Sequence, residues 1–183
     1  MRWIKYRSFL LAGLFCLFSC DLDMPEEVYD NPLDLDINSA QGISPPALIF
    51  NPSVTNTTSG SNVTIQVFAL EVNEVAGVHI QVQYSKNKLS VTNVSPGEFL
   101  QEGAQDPLFF YDNDPLTGLL DIYCTYLGDD TYVSGTGPVA YIIFTTTAPG
   151  EGILQYTNQS ELVDTDDVKI QLNGLGQGVV NAQ

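Results

Sequence analysis

Between Gly77 and Tyr84 the chain reads Gly-Val-His-Ile-Gln-Val-Gln-Tyr, with an apolar side chain at every second position. Successive side chains of a strand point to opposite faces. This segment therefore has one apolar face (Val78, Ile80, Val82, Tyr84) and one small or polar face (Gly77, His79, Gln81, Gln83). Such a half-buried strand needs partners on both sides and a second layer against its apolar face. The rest of the chain supplies both. Strands are expected at 47–50, 63–69, 88–94, 108–111, 119–126, 139–147, 152–156, 168–172 and 177–181. Turn signals separate them: Ser59-Gly-Ser-Asn, Pro96-Gly97, Asp112-Asn-Asp-Pro, Gly128-Asp-Asp, Gly135-Thr-Gly-Pro and Pro149-Gly-Glu-Gly. No window sustains a helical period. The pattern predicts an all-β chain folded as a β-sandwich of jelly-roll type.

The N-terminus follows a different logic. Arg2, Lys5 and Arg7 precede an apolar run over 9–17, too short to span a bilayer and of the length of a signal-peptide core. It ends in Leu17-Phe18-Ser19-Cys20, which resembles the lipobox of bacterial lipoproteins. That resemblance implies cleavage after residue 19, a lipid on Cys20, and a domain exported to the cell envelope on a membrane anchor. An ordinary secretory signal or an uncleaved anchor are the alternatives. Cys16 would leave with the signal and Cys20 would carry lipid, so Cys124 has no partner for a disulfide and reads as a buried apolar residue. Residues 20–46 are acidic, with Pro25, Pro32, Pro45 and Pro46, and read as an extended linker to a domain over 47–183.

Charge removes whole classes of function. Six Lys and Arg stand against 22 Asp and Glu, a formal net charge of −16. Phosphate backbones demand clustered basic residues, so nucleic acid is excluded as a partner. After signal removal only Lys86, Lys88 and Lys169 oppose the acids, so charge cannot hold the protein on anionic lipid.

Three segments resemble cohesin domains. Gly77 to Leu89 is similar to that family's apolar alternation, Tyr, Asp-Pro, two residues and Leu, with Ser85-Lys86 in place of Asp-Pro. Ser95-Pro-Gly-Glu-Phe-Leu100 resembles its Gly-acid-Phe-Leu stretch. Gly135-Thr-Gly-Pro-Val-Ala-Tyr-Ile-Ile-Phe144 resembles its Gly-x-Gly followed by a strand ending in Phe. The resemblance implies a nine-stranded jelly-roll sandwich, an architecture shared with carbohydrate-binding modules, and a dockerin module as partner. It also places the partner site on the polar face of the strand from Gly77. There Gly77 and His79 occupy the positions of the Asn and Asp that cohesins present to dockerins. Gln81 and Gln83 continue the face, and Asp121, Tyr123 and Thr125 join it if Ile122, Cys124 and Tyr126 point inward. Side chains at 77 and 79 directed to solvent should tolerate replacement.

Other chemistries find little material. Asp112-Asn-Asp114, Asp129-Asp130 and Asp164-Thr-Asp166-Asp167 offer oxygen ligands, yet none has the spacing of an EF-hand loop, and Asp and Asn are common turn formers. No metal or cofactor is expected. His79 has no Gly-x-Ser-x-Gly elbow beside it, and short loops on a sandwich leave no deep cleft, so the chain is expected to be non-enzymatic. Three functions remain: docking of a dockerin-like module in polysaccharide breakdown, direct binding of polysaccharide, or a structural role in the envelope. A linear row of exposed aromatic residues would favour sugar. A flat polar face with one or two apolar anchors would favour protein.

Overall fold

The computed structural model describes residues 34–128 and 131–183. The signal peptide expected over 1–19, Cys20 and Asp129-Asp130 lie outside the described residues.

Twelve strands among the described residues form two sheets. The first consists of β1 (Ala47–Asn51), β3 (Asn62–Val75), β5 (Leu89–Pro96), β8 (Val133–Thr146) and β11 (Gly174–Leu175), in the order β11-β1-β3-β8-β5. The second runs β2-β12-β9-β4-β7-β6, built from β2 (Val54–Thr57), β4 (Gly77–Tyr84), β6 (Leu108–Asp114), β7 (Leu119–Thr125), β9 (Gly150–Tyr156) and β12 (Gln177–Ala182). A short β10 (Glu161–Val163) also pairs with β4. Pairing is antiparallel except for β1 with β11 and β12 with β2. The all-β sandwich read from the sequence is therefore present, with three short strands (β2, β10, β11) beyond the nine that the resemblance implied.

Alternation places the core. Ile80, Val82, Leu120, Ile122, Cys124 and Leu154 of the second sheet meet Ile65, Val67, Ile142 and Phe144 of the first, all essentially without solvent contact. Each buried aliphatic side chain contributes about 1.5–3 kcal/mol relative to exposure. Aromatic residues tie the layers together. Phe50 stacks on Tyr156 at 4.2 Å, and the Tyr156 hydroxyl donates to the Ile49 carbonyl at 2.7 Å. Tyr84 packs against Phe144 at 5.6 Å while donating to Asn113 at 2.9 Å. Tyr84 and Leu89 bracket the core on either side of the β4–β5 turn, 3% and 1% exposed.

The glycine motifs also have a packing reason. A Cβ on Gly97 would sit 2.1 Å from the Pro138 carbonyl oxygen, so only glycine lets the end of β5 lie against β8 there. The chain then turns through a 3-10 segment (Phe99–Glu102) that buries Phe99 and Leu100, with Phe99 lying over Gly137. In β3, Glu71 and Glu74 adopt positive φ at register shifts against β8. Their freed N–H groups donate to Thr136 Oγ1 and Ser134 Oγ at 2.9 and 2.8 Å. Bulges are tolerated there because the side chains of β8 satisfy the displaced donors.

Three expectations need correction. Residues 34–46 are not an extended linker. Asp34 Oδ1 accepts from the N–H groups of Asp36 and Ile37 and caps a helix, α1 (Leu35–Ala40). Ile43 then joins Ala47, Ile49 and Leu70 in a second, smaller apolar cluster outside the first sheet. A single apolar residue among polar ones gives no periodicity, so its burial was not readable.

The 168–172 strand is absent, and β10 at Glu161–Val163 takes its place beside β4. Ile170 and Leu172 do pack on the core, but Lys169 makes only an isolated bridge to Val163. Alternation reported burial correctly and lateral pairing incorrectly. Lastly, β6 continues through Asp112 to Asp114, so the expected turn begins two residues later and closes at Gly118.

Candidate functional site

The outer face of the second sheet is organised by register. His79 of β4 lies opposite Tyr123 of β7, and Tyr123 opposite Phe110 of β6. Adjacent strands are about 4.8 Å apart, close to the separation of stacked rings. The three side chains accordingly form a ladder across three strands. His79 and Tyr123 have centroids 4.5 Å apart and planes 5° apart, and Tyr123 and Phe110 4.6 Å and 14°. Stacked this way, the rings turn their faces on one another and their edges to solvent.

One row along, Gln81 of β4 faces Asp121 of β7, which faces Asp112 of β6. Asp121 Oδ1 lies 2.7 Å from His79 Nε2 and accepts from Gln81 Nε2 at 2.9 Å. Gln81 Oε1 in turn accepts from Thr157 Oγ1 at 2.8 Å. A Thr–Gln–Asp–His chain thus holds the imidazole upright against Tyr123. Burial first, then the Asp121 and Asp112 carboxylates, raise the Tyr123 hydroxyl above its ordinary pKa.

The structure brings together His79, Gln81, Asp121 and Tyr123 as the sequence suggested. Ile122, Cys124 and Tyr126 do point inward. The Cys124 thiol is pushed up to about 11 by desolvation, as expected of an inert buried cysteine. Gln83 and Thr125 play smaller parts. Gln83 Nε2 donates to the carbonyls of Gly118 and Thr117 at 2.9 and 3.1 Å, bracing the β6–β7 turn. Thr125 turns its hydroxyl back toward the Tyr126 carbonyl at 3.3 Å.

Gly77 is buried, and a Cβ there would meet Thr125 Oγ1 at 3.1 Å and Val163 Cγ2 at 3.2 Å. The expected tolerance at position 77 is therefore corrected: β10 lies alongside and closes the space. Position 79 is constrained as well, by its ring stack and by Asp121.

Phe110 and Asp112 also belong to the face, and the sequence reading placed neither of them on it. Residues 108–111 read Leu-Phe-Phe-Tyr, apolar at four successive positions, so alternation could not say which rings face outward. Asp112 was hidden by a turn reading.

The acid-rich turns explain themselves locally. Asp114 accepts from Leu116 N–H and Thr117 Oγ1 at 2.9 and 2.7 Å, and Asp164 from the N–H groups of Asp166 and Val168, both at 2.9 Å. These are turn-forming side chains. Among the described residues no three His, Cys, Asp or Glu side chains cluster as metal ligands. No described helix is long and apolar enough to cross a membrane.

A sequence model described as the cohesin domain matches residues 50–181. The chain belongs to the cohesin domain family. Cohesin domains are non-catalytic binding modules. A search of curated proteins found no match. Among solved structures, this cohesin is similar to a non-cellulosomal cohesin from the hyperthermophilic archaeon Archaeoglobus fulgidus. The two share 19% identity at a TM-score of 0.62, over 75% of this chain and 90% of that one. A type II cohesin domain from the cellulosome of Acetivibrio cellulolyticus gives 16% identity and a TM-score of 0.61, over 74% and 93%. The third cohesin of ScaC from the same organism, solved in complex with a mutated ScaB dockerin, gives 14% identity and a TM-score of 0.62, over 74% and 97%. At these identities the likeness establishes the fold.

Proposed function

We propose that this cohesin is a non-catalytic docking module whose outer β4-β7-β6 face binds a dockerin-like protein partner. The observation that carries the reading is the ladder of His79, Tyr123 and Phe110 set edge-on into a flat hydrogen-bonded face. A sugar stacks on an open ring face, and here both faces of Tyr123 are covered by neighbouring rings. The outer face of Phe110 at the sheet edge is open, a single ring and not the linear row of exposed aromatic residues that would favour direct polysaccharide binding. A protein interface uses such a face well: upright aromatic edges anchor apolar partner side chains, and the fixed polar groups around them set orientation. Dockerin complexes of cohesins with this fold lend further support.

The proposal extends to location and role. The lipobox-like Leu17-Phe-Ser-Cys20 supports export and lipid anchoring at the cell envelope, with the acidic segment after Cys20 as a spacer. The partner module is carried by a secreted protein of polysaccharide breakdown, a role supported by the cellulosomal relative. A panel of recombinant dockerin modules, titrated calorimetrically against the protein alongside soluble glycans, tests the reading. Binding of a dockerin and of no glycan is expected. Glycan binding with every dockerin silent would overturn it. Fractionation of Cys20→Ala tests the anchor: the variant should leave the membrane fraction, and retention there would mean that the N-terminal segment holds the membrane without lipid.

A further inference from the structure

The β6 end of the same face carries an unresolved electrostatic conflict. Asp112 and Asp121 are directly opposite on adjacent antiparallel strands. Like charges in that position destabilise a sheet. Asp121 is engaged by His79 and Gln81, but the Asp112 side chain has no hydrogen-bond or ion-pair partner among the described residues. The described ion pair involving a lysine joins Lys169 to Glu161, beside β4 rather than β6. Next to Asp112 on the same side of β6 stands Phe110, half exposed. Its inner ring face stacks on Tyr123, while β6 is the edge strand, so no further strand covers its outer face.

We infer that this corner is a receptor for an arginine side chain of the docking partner, with the guanidinium stacked on the outer face of Phe110 and hydrogen-bonded to Asp112 on the same strand. The inference rests on the docking reading and deepens it. Arginine fits because it is planar, keeps its charge, and combines ring stacking with several donors directed at carboxylates. Its charge also relieves the repulsion between the two aspartates, so binding recovers stability that the free sheet lacks. A second copy of this chain fits poorly. Pairing two β6 edges would bring Asp112 and Asp114 of both copies together on molecules that each carry a formal charge of −16.

The test uses Nα-acetyl-arginine amide, with Nα-acetyl-lysine amide and Nα-acetyl-citrulline amide as controls. Each is titrated into the isotope-labelled full chain in nonionic micelles and followed by NMR at the Phe110 and Tyr123 rings and the Asp112 carboxyl carbon. Arginine amide should shift these signals selectively, lysine amide less, and citrulline amide, which keeps the shape without the charge, hardly at all. Asp112→Asn should weaken the arginine response about fivefold or more, the loss expected for one charge-assisted contact. Phe110→Leu, an exposed substitution, should reduce the preference for arginine over lysine. Equal responses to arginine and citrulline, or arginine shifts spread evenly over the acidic surface, would overturn the inference. The dockerin panel is read separately, so a dockerin that binds while arginine amide does not leaves the docking face standing and removes only the arginine receptor.

Discussion

Replacing His79 with Asp, the acid that the resemblance to cohesins implies for this position, should destabilise this protein. Three contributions add. The stack on Tyr123 is lost, at about 1 kcal/mol. The hydrogen bond to Asp121 is lost, at about 1.5 kcal/mol because its acceptor is charged. A new carboxylate then faces Asp121 diagonally across the strands. At about 6 Å and an effective dielectric constant of about 40, this adds about 1.5 kcal/mol. The total is about 4 kcal/mol, a large share of the stability of an ordinary domain.

His79→Asn is the control, since it removes the ring and adds no charge; its amide can still donate to Asp121, so its cost is about 1–2 kcal/mol. The assay is urea unfolding of both variants, at pH 7 and again below the carboxylate range. Repulsion raises the pKa of the new pair in the folded state above its unfolded value. Stability is therefore lost as pH rises through the carboxylate range, and the gap of about 2 kcal/mol between the variants, full at pH 7, should close near pH 3.5. Comparing the variants at each pH cancels the titration of all other acids. Equal stability of His79→Asp and His79→Asn at pH 7 would refute the reasoning, because it would mean that position 79 and Asp121 are not coupled.

Two further predictions concern the core. Ile80→Asp should unfold the domain, since it buries an unpaired charge at a position with no solvent contact; loss of the cooperative calorimetric transition is the readout, and a folded variant would reverse the faces assigned to β4. The Cys124 thiol should resist a disulfide reagent at pH 8 in the native protein and react at once in urea. Its raised folded-state pKa, about 11, makes its contribution to stability fully present below the unfolded value near 9 and lost as pH rises from there to 11, which alkaline melting curves compared with Cys124→Ala would reveal.

How much was legible follows from what alternation encodes. Where one face is apolar and the other polar, as in Gly77–Tyr84 and Leu119–Thr125, both the strand and its orientation were readable, and the outward placement of His79, Gln81, Asp121 and Tyr123 with them. Where apolar residues are continuous, as at 108–111, a strand was readable but its faces were not, so Phe110 was missed. Asp-rich stretches gave a turn signal that could not mark its own first residue, and Asp112 was assigned to the turn instead of β6. Lateral neighbours were beyond reach. The pairing of β10 with β4, which buries Gly77, joins residues some eighty positions apart that show no pattern in common. The ring ladder itself is a matter of cross-strand register, fixed only once β4, β7 and β6 lie side by side.

The central claim is that partners dock on the outer face of β4, β7 and β6. Hydrogen exchange of the protein, alone and saturated with a dockerin selected from the panel, tests this most directly. The account predicts that slowed exchange on binding concentrates in residues 77–84, 108–114 and 119–125. Slowed exchange concentrated instead in 62–75, 89–96 and 133–146 of the opposite sheet, with the ladder strands unchanged, would contradict it.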